Sequence, residues 1–502
     1  MFRRGILLFA IFGAFLGAQW DDLFHRTSYF EPANRLSGIG VDRQHLTEMV
    51  LAARTEQMVR SQTFSIMREP QAVAGAQRIT APRLQTIFRQ AAARSGLPAN
   101  LIEAVAYLES WGDPRAQSPA GPRGIMQIAD GTARRIGLRI TYATRYKVSK
   151  ERVLVRRKGR KPVYRTVRKR TPYTVLVRDD RLRPERAVPA AAVYLAQMEQ
   201  RLGGRDWAVF AYHCGEGCVA EMLDLTHRAR GASNPPTVAQ MFFLGSPAYN
   251  RNLYEAVRRQ MQRDYSPTYW FRVMRAQQLL QAWREDPDGF RRTAEEYRTN
   301  LNNGARAPHR LSVWLKDEDM AYRSCEDIIA DRGGQLARAL DNPDLFGYAL
   351  RKTGPGAIGA YDPERRDYYL RAAPSALGTL TYIAFETRRL HEEMRPSGEK
   401  FVPLEVTSLV EPLDYRERLG GARDQPEFLA HCTGQVFDVN VADLPRGEQE
   451  ALRFVLDDMG WDGYLGFVEE SAGSGRMHIG CAPSARPFFA KVFDEALKTV
   501  ER

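Results

Sequence analysis

Residues 107–128 read YLESWGDPRAQSPAGPRGIMQI, a helix that stops on a carboxylate and gives way at once to a loop dense in glycine and proline. The helical part reaches back through PANLIEAVAYLES, with Pro98 early and Leu101, Val105 and Leu108 along one face. Helix C-termini disfavour negative charge, because the backbone dipoles turn their negative ends that way. Glu109 sits at that end with apolar residues behind it, so desolvation and dipole both favour its protonated form. A carboxyl held like this suits a group that must deliver a proton near neutral pH. The plainer reading, an ordinary exposed helix glutamate, shares the same position, and spacing alone does not separate the two. Two further amphipathic helices follow, PAAAVYLAQMEQRL at 189–202 and DWAVFAYH at 206–213, so the chain from 86 to 260 reads as helix-rich.

The formal net charge of +13 comes from a single segment. Residues 141–178 hold fourteen Arg or Lys and one acid, Glu151, which leaves the other 464 residues neutral in sum. Within RVLVRRKGRKPVYRTVRKRTPYTVLVR, the Val/Arg alternation with Lys158-Gly159 at a turn predicts a hairpin or a three-stranded meander. The bland role for such a segment is a solvated hairpin; the functional one is attraction to a polyanion, a membrane surface or an acidic protein.

At the N-terminus, MFRR precedes the apolar run GILLFAIFGAFLGA, with small residues at Gly17 and Ala18. That layout predicts an export signal over residues 1–20. The run is short for a span, and Leu16 is a poor residue before a cut after Ala18, so an uncleaved anchor over residues 5–20 stays open. Export disfavours nucleic acid as a partner and permits disulfides. The five cysteines, at 214, 218, 325, 432 and 481, lack metal-ligand company of the CxxC kind and read as structural or inert, their pairing left open.

Taken together, the ES at 109–110, SPAGPRGIMQI, the YL at 194–195 and AYHCGEG at 211–217 resemble the lytic transglycosylases of the goose-type lysozyme superfamily. Their pattern is a catalytic ES, a loop of S-x-x-G-x-x-G-L-M-Q type and a later A-Y-N-A-G. The resemblance implies a lysozyme-like, mainly helical domain that cuts the β-1,4 bond between N-acetylmuramic acid and N-acetylglucosamine without water, closing a 1,6-anhydro ring. It makes Glu109 the single catalytic acid and base, with no cofactor. It assigns Ser110, Ser118, Gly124, Met126, Gln127, Tyr212 and His213 to substrate binding, and Asp179 or Asp180 to a structural role. His213-Cys214 stands where Asn-Ala is usual, and Pro122 where a small residue is common, which bears on subsite preference. The implied partner is a peptidoglycan glycan strand, and the implied location is the periplasm or cell envelope.

From about residue 316 the pattern changes to an α+β mixture. GQVFDVNV and GYLGFVEE read as strands, RGEQEALRFVLDDMG and PFFAKVFDEALKTVER as helices. PLEVTSLVEPLDYRERL, HCTGQVFDVNV and RMHIGCAP resemble the zinc carboxypeptidases that cleave D-alanyl-D-alanine peptides, whose signature is H-x-x-G-x-x-x-D and a later histidine. The resemblance implies His431, Asp438 and His478 as zinc ligands. Gly475 occupies the place of the catalytic glutamate, the nearest acids being Glu469 and Glu470, and Glu411 replaces an arginine that would bind peptide carboxylate. The domain is thus an active peptidase, an inactive wall-peptide binder or a structural remnant.

The fold expected is α+β and multidomain. A signal or anchor (1–20) and a helical region (21–85) precede the lysozyme-like domain (86–260, with the basic hairpin insertion 141–178). A helical connector (261–315) and a C-terminal carboxypeptidase-like α+β domain (316–502) follow. The rival functions are a hydrolytic muramidase and a non-catalytic peptidoglycan-binding scaffold.

Overall fold

The structure, a computed structural model, describes residues 48–158, 161–299, 321–331, 334–394, 400–420, 430–469 and 475–500. The expected signal or anchor, the Gly159 turn and Glu470 lie outside them. The described chain gathers into two compact units. One comprises residues 69–213 and 272–292; the other takes 48–68, 214–271 and the described residues from 293 onward.

In the first unit the helix Ala99–Ser110 is the central element, with every residue from Leu101 to Tyr107 buried. Its apolar composition allows burial on all sides. The one acid in that stretch, Glu103, is 3% exposed and accepts from Gln85 Nε2 at 3.0 Å and from the Arg284 guanidinium. Around it, Pro82–Ser95 packs on Pro184–Leu202. Both helices start on proline and stop at a left-handed glycine, Gly96 or Gly203, the asymmetry that fixed φ and missing Cβ favour.

The basic segment forms one antiparallel ribbon, β1 (Ile140–Lys158) with β2 (Lys161–Asp179). It has two strands rather than three. At nineteen residues per strand it runs roughly 60 Å.

The second unit contains two short paired strands, β3 (Ala337–Arg338) and β5 (Arg371–Ala372), and a five-stranded sheet in the order β4-β6-β7-β9-β8. These five are β4 (Tyr348–Leu350), β6 (Leu404–Ser408), β7 (Val436–Asn440), β8 (Leu465–Glu469) and β9 (Arg476–Cys481). β4 and β6 are parallel and the remaining neighbours antiparallel. Helices Pro374–Met394, Arg446–Trp461 and Arg486–Val500 share one core with Phe437, Val439, Met477 and Ile479 of the sheet. Arg54, on the helix Glu48–Met67, donates to Asp458 at 3.0 Å and to Asp462, binding that helix to Arg446–Trp461. Among the described residues no helix is long and apolar enough to cross a membrane.

Candidate active site and candidate metal centre

The helix Ala99–Ser110 ends because Trp111 and Gly112 both turn left-handed (φ 54° and 72°). Gly112 N then donates to Ala106 O at 3.2 Å and Trp111 N to Tyr107 O at 2.8 Å, satisfying carbonyls the terminus would orphan. The Trp111 ring meets Tyr107 edge-on at 4.8 Å, and the Tyr107 hydroxyl donates to Ala72 O. Glu109 is thereby fixed one residue inside a rigid terminus, its side chain 14% exposed. It is sheltered but reachable.

The following loop folds back on this end. Ser110, 6% exposed, donates to Ala106 O (3.1 Å) and Ile125 O (2.8 Å), so its hydroxyl ties helix to loop and faces inward. Ser118 lies in the turn 118–122: its N donates to Pro122 O and its Oγ accepts from Ala120 N. Gln127, left-handed at φ 44°, turns its amide inward to Gly124 O (2.9 Å) and Ala116 O (3.3 Å). Met126 is buried, and its carbonyl accepts from the Tyr212 hydroxyl at 2.7 Å. Burial, then the charge of Glu109, then Tyr194 hold the Tyr212 phenol well above its ordinary pKa, so it remains a proton-bearing donor. The next residue, His213, puts Nδ1 3.9 Å from Glu109 Oε1. The sequence-derived set therefore divides. Glu109 and His213 face each other; Tyr212, Met126, Gln127 and Ser110 build the wall; Ser118 sits in the loop's outer turn.

Gly124 and Arg181 hold this loop, and of the two Arg181 carries no mark in the sequence motifs. Gly124 is left-handed (φ 78°), and a Cβ there would stand 1.9 Å from Arg181 O. Arg181, 2% exposed, donates to both oxygens of Asp179 (2.9 and 2.7 Å) and to Ile128 O (3.3 Å). Burial alone would raise the Asp179 carboxyl, but hydrogen bonds from Arg181 and the charges of Arg181 and Arg123 take it below the ordinary carboxylate value. Asp180 is similarly lowered, chiefly by Arg178. Both aspartates are thus spent on structure at the foot of the ribbon. Asp113 likewise accepts from Arg115 N (2.8 Å). Cys214 and Cys218 are disulfide-bonded, while Cys325, Cys432 and Cys481 are buried thiols. The one-turn spacing in CGEGC was the available signal for that pair.

In the second unit, His431, Asp438 and His478 converge, each fully buried. Asp438 Oδ1 lies 2.8 Å from His478 Nδ1 and 3.2 Å from His431 Nε2, and the two ring nitrogens are 3.0 Å apart. Adjacent strands explain the pairing, since Asp438 on β7 sits opposite His478 on β9. The other nitrogen of His431, Nδ1, faces Leu409 O at 3.1 Å and Ser408 Oγ at 3.0 Å, which leaves Nε2 directed at the cluster. Asp438 Oδ2 has no hydrogen-bond partner among the described residues. Two imidazoles and a carboxylate at these separations fit one zinc-sized cation. Glu469 pairs with Met477, one residue from His478, so pleating sends it to the opposite face. There, with Met477, Arg453 and Gln449, it lines a cavity of about 280 Å³. Glu411 is neutralised by Arg416 at 2.9 Å.

Part of the chain is similar to known proteins. The chain is 30% identical over 162 residues to membrane-bound lytic murein transglycosylase F 2 of Alkalilimnicola ehrlichii, covering 31% of this chain and 26% of that protein. It is 28% identical over 177 residues to membrane-bound lytic murein transglycosylase F of Alcanivorax borkumensis, covering 34% and 29%. With peptidoglycan transglycosylase gp16 of Escherichia phage T7 it shares 32% over 132 residues, 26% of this chain and 8% of that protein. The chain thus spans less than a third of the length of these relatives. The segment that carries Glu109, its loop and Tyr212, residues 86–151 and 163–233, matches the family model described as the transglycosylase SLT domain.

Proposed function

We propose that the chain is a peptidoglycan lytic transglycosylase. The observation that carries this is Glu109, partly sheltered at a rigid helix end beside His213 and backed by a loop pinned to Tyr212, inside the SLT-matching stretch. Glu109 would protonate the glycosidic oxygen between N-acetylmuramic acid and N-acetylglucosamine while the sugar's 2-acetamido group stabilises the cation at C1. As a carboxylate it would then take the proton from the C6 hydroxyl, which closes the 1,6-anhydro ring. A nucleophile already held in the substrate lets one carboxyl serve both steps. Tyr212, Met126 and Gln127 shape the wall against which the sugar rests, and an envelope location follows from such a substrate. Mass analysis of products from purified sacculi tests the reading. Anhydro ends that vanish in Glu109→Gln support it; reducing ends indicate a muramidase; binding without products indicates a scaffold.

For the C-terminal region we infer a zinc site held by His431, Asp438 and His478, supported by their convergence and by the unpartnered Asp438 oxygen. Bound zinc supplies Lewis-acid polarisation of a carbonyl. The described residues then favour holding wall peptide over cleaving it, because among them Glu469 lies on the wrong face to act as base. Zinc measured per mole of the full chain tests the site, with loss expected in His478→Ala. Equal zinc in that variant refutes it.

A further inference from the structure

Between the pairs Tyr142–Leu176 and Leu154–Tyr164 the ribbon keeps one register, so its two faces can be told apart. One face carries Lys150, Arg152, Arg168 and Arg170 with Tyr142, Tyr146 and Tyr164, and no acid. Both Tyr–Arg stacks lie on it, Arg170 over Tyr146 at 4.5 Å and Arg152 over Tyr164 at 5.0 Å. The opposite face holds Arg145, Lys147, Arg165 and Lys169, but also Glu151, which pairs with Lys169 at 3.1 Å. Tyr142, Tyr146 and Tyr164 stand about half exposed although each carries a ring that a core would bury. At the foot of the ribbon Asp179 is tied through Arg181 to Ile128 of the loop that follows Glu109, and Asp180 is held by Arg178.

We propose that the acid-free face of this ribbon docks peptidoglycan strands through the carboxylates of their stem peptides, tyrosines covering the sugars between. The inference rests on the transglycosylase reading for the identity of the polymer. Interleaved rings and cations match a chain in which sugars alternate with charged peptides.

The experiment uses the full chain carrying Glu109→Gln, so that glycan stays intact, in sacculus pelleting. Lys150→Thr, Arg152→Thr, Arg168→Thr and Arg170→Thr together should weaken binding tenfold or more at low salt, with the gap closed at about 1 M salt, where screening reaches only a few ångströms. Sacculi whose stem-peptide carboxylates are capped as neutral amides with a carbodiimide and ethanolamine should bind as weakly as the variant does to untreated ones. The matched set Arg145→Thr, Lys147→Thr, Arg165→Thr and Lys169→Thr should cost less, although it removes the same charge from the same ribbon. Unchanged binding by the first variant overturns the proposal, as does equal binding to carboxylate-capped sacculi or equal loss in both sets. Tighter binding to phosphatidylglycerol vesicles or to duplex DNA than to sacculi also overturns it. None of these outcomes touches the product analysis, so the two readings fail separately.

Discussion

The two candidate sites solve opposite problems. Glu109 is 14% exposed and His213 31%, whereas His431, Asp438 and His478 are sealed from solvent. A group that must meet a polymer needs a partly open side, so its position is enforced from behind, by left-handed residues and a backbone-tight loop. A buried carboxylate between imidazoles needs compensation instead, because a charge taken out of water without a partner is costly. At the first site rigidity lies in the backbone; at the second it lies in strand register.

That contrast can be broken in several ways. Glu109→Gln should lower formation of anhydro products by about 10²–10⁴-fold, the usual worth of a positioned acid–base group, with the thermal midpoint nearly unchanged. Asp179→Asn should destabilise the chain by about 3–5 kcal/mol in denaturant melts, since it leaves Arg181 buried with its charge unmatched. Gly124→Ala should act in the same direction, and with it activity should fall, because the Cβ meets backbone that cannot swing aside. The C-terminal site should respond to a different agent. Chelation should lower the melting midpoint of the wild type and leave that of Asp438→Asn in place. The mildest change is Tyr212→Phe, which removes one hydrogen bond to Met126 O, about 1 kcal/mol, and should slow turnover several-fold without altering the product.

The pH dependence of the loop follows from Asp179 and Asp180. Their folded pKa values lie below those of free carboxylates, so the unfolded chain binds protons first. The stability they contribute is complete above the ordinary carboxylate value, about 3.9, and is lost as pH falls below it through the folded values. In Asp179→Asn an acid melt should be correspondingly flatter. An identical slope would show that the Arg181 contact does not hold the loop.

Much of this was legible in the chain. The apolar spacing before Glu109, the Val/Arg alternation of 141–178 and the strands around Asp438 and His478 are local patterns, and a period of 3.6 or 2 states which side of an element is buried. The residues that hold the loop after Glu109 were less legible. Arg181 and Asp179 lie more than fifty residues from Gly124, and nothing short-range links them. Ser110 reads as a substrate neighbour because it adjoins Glu109, yet one step around a helix turns it inward to Ile125.

The sequence by itself determined that a helix would end beside an acid, that one ribbon would carry the excess charge, and that Asp438 and His478 would each fall on a strand. Only the tertiary structure decided which hydroxyls face inward, that Arg181 closes over Gly124, and that Glu469 looks away from His478. The reason is physical. Periodicity fixes which side of an element is apolar, but which distant groups meet across a loop depends on register and close packing of backbone, and no local stretch encodes those.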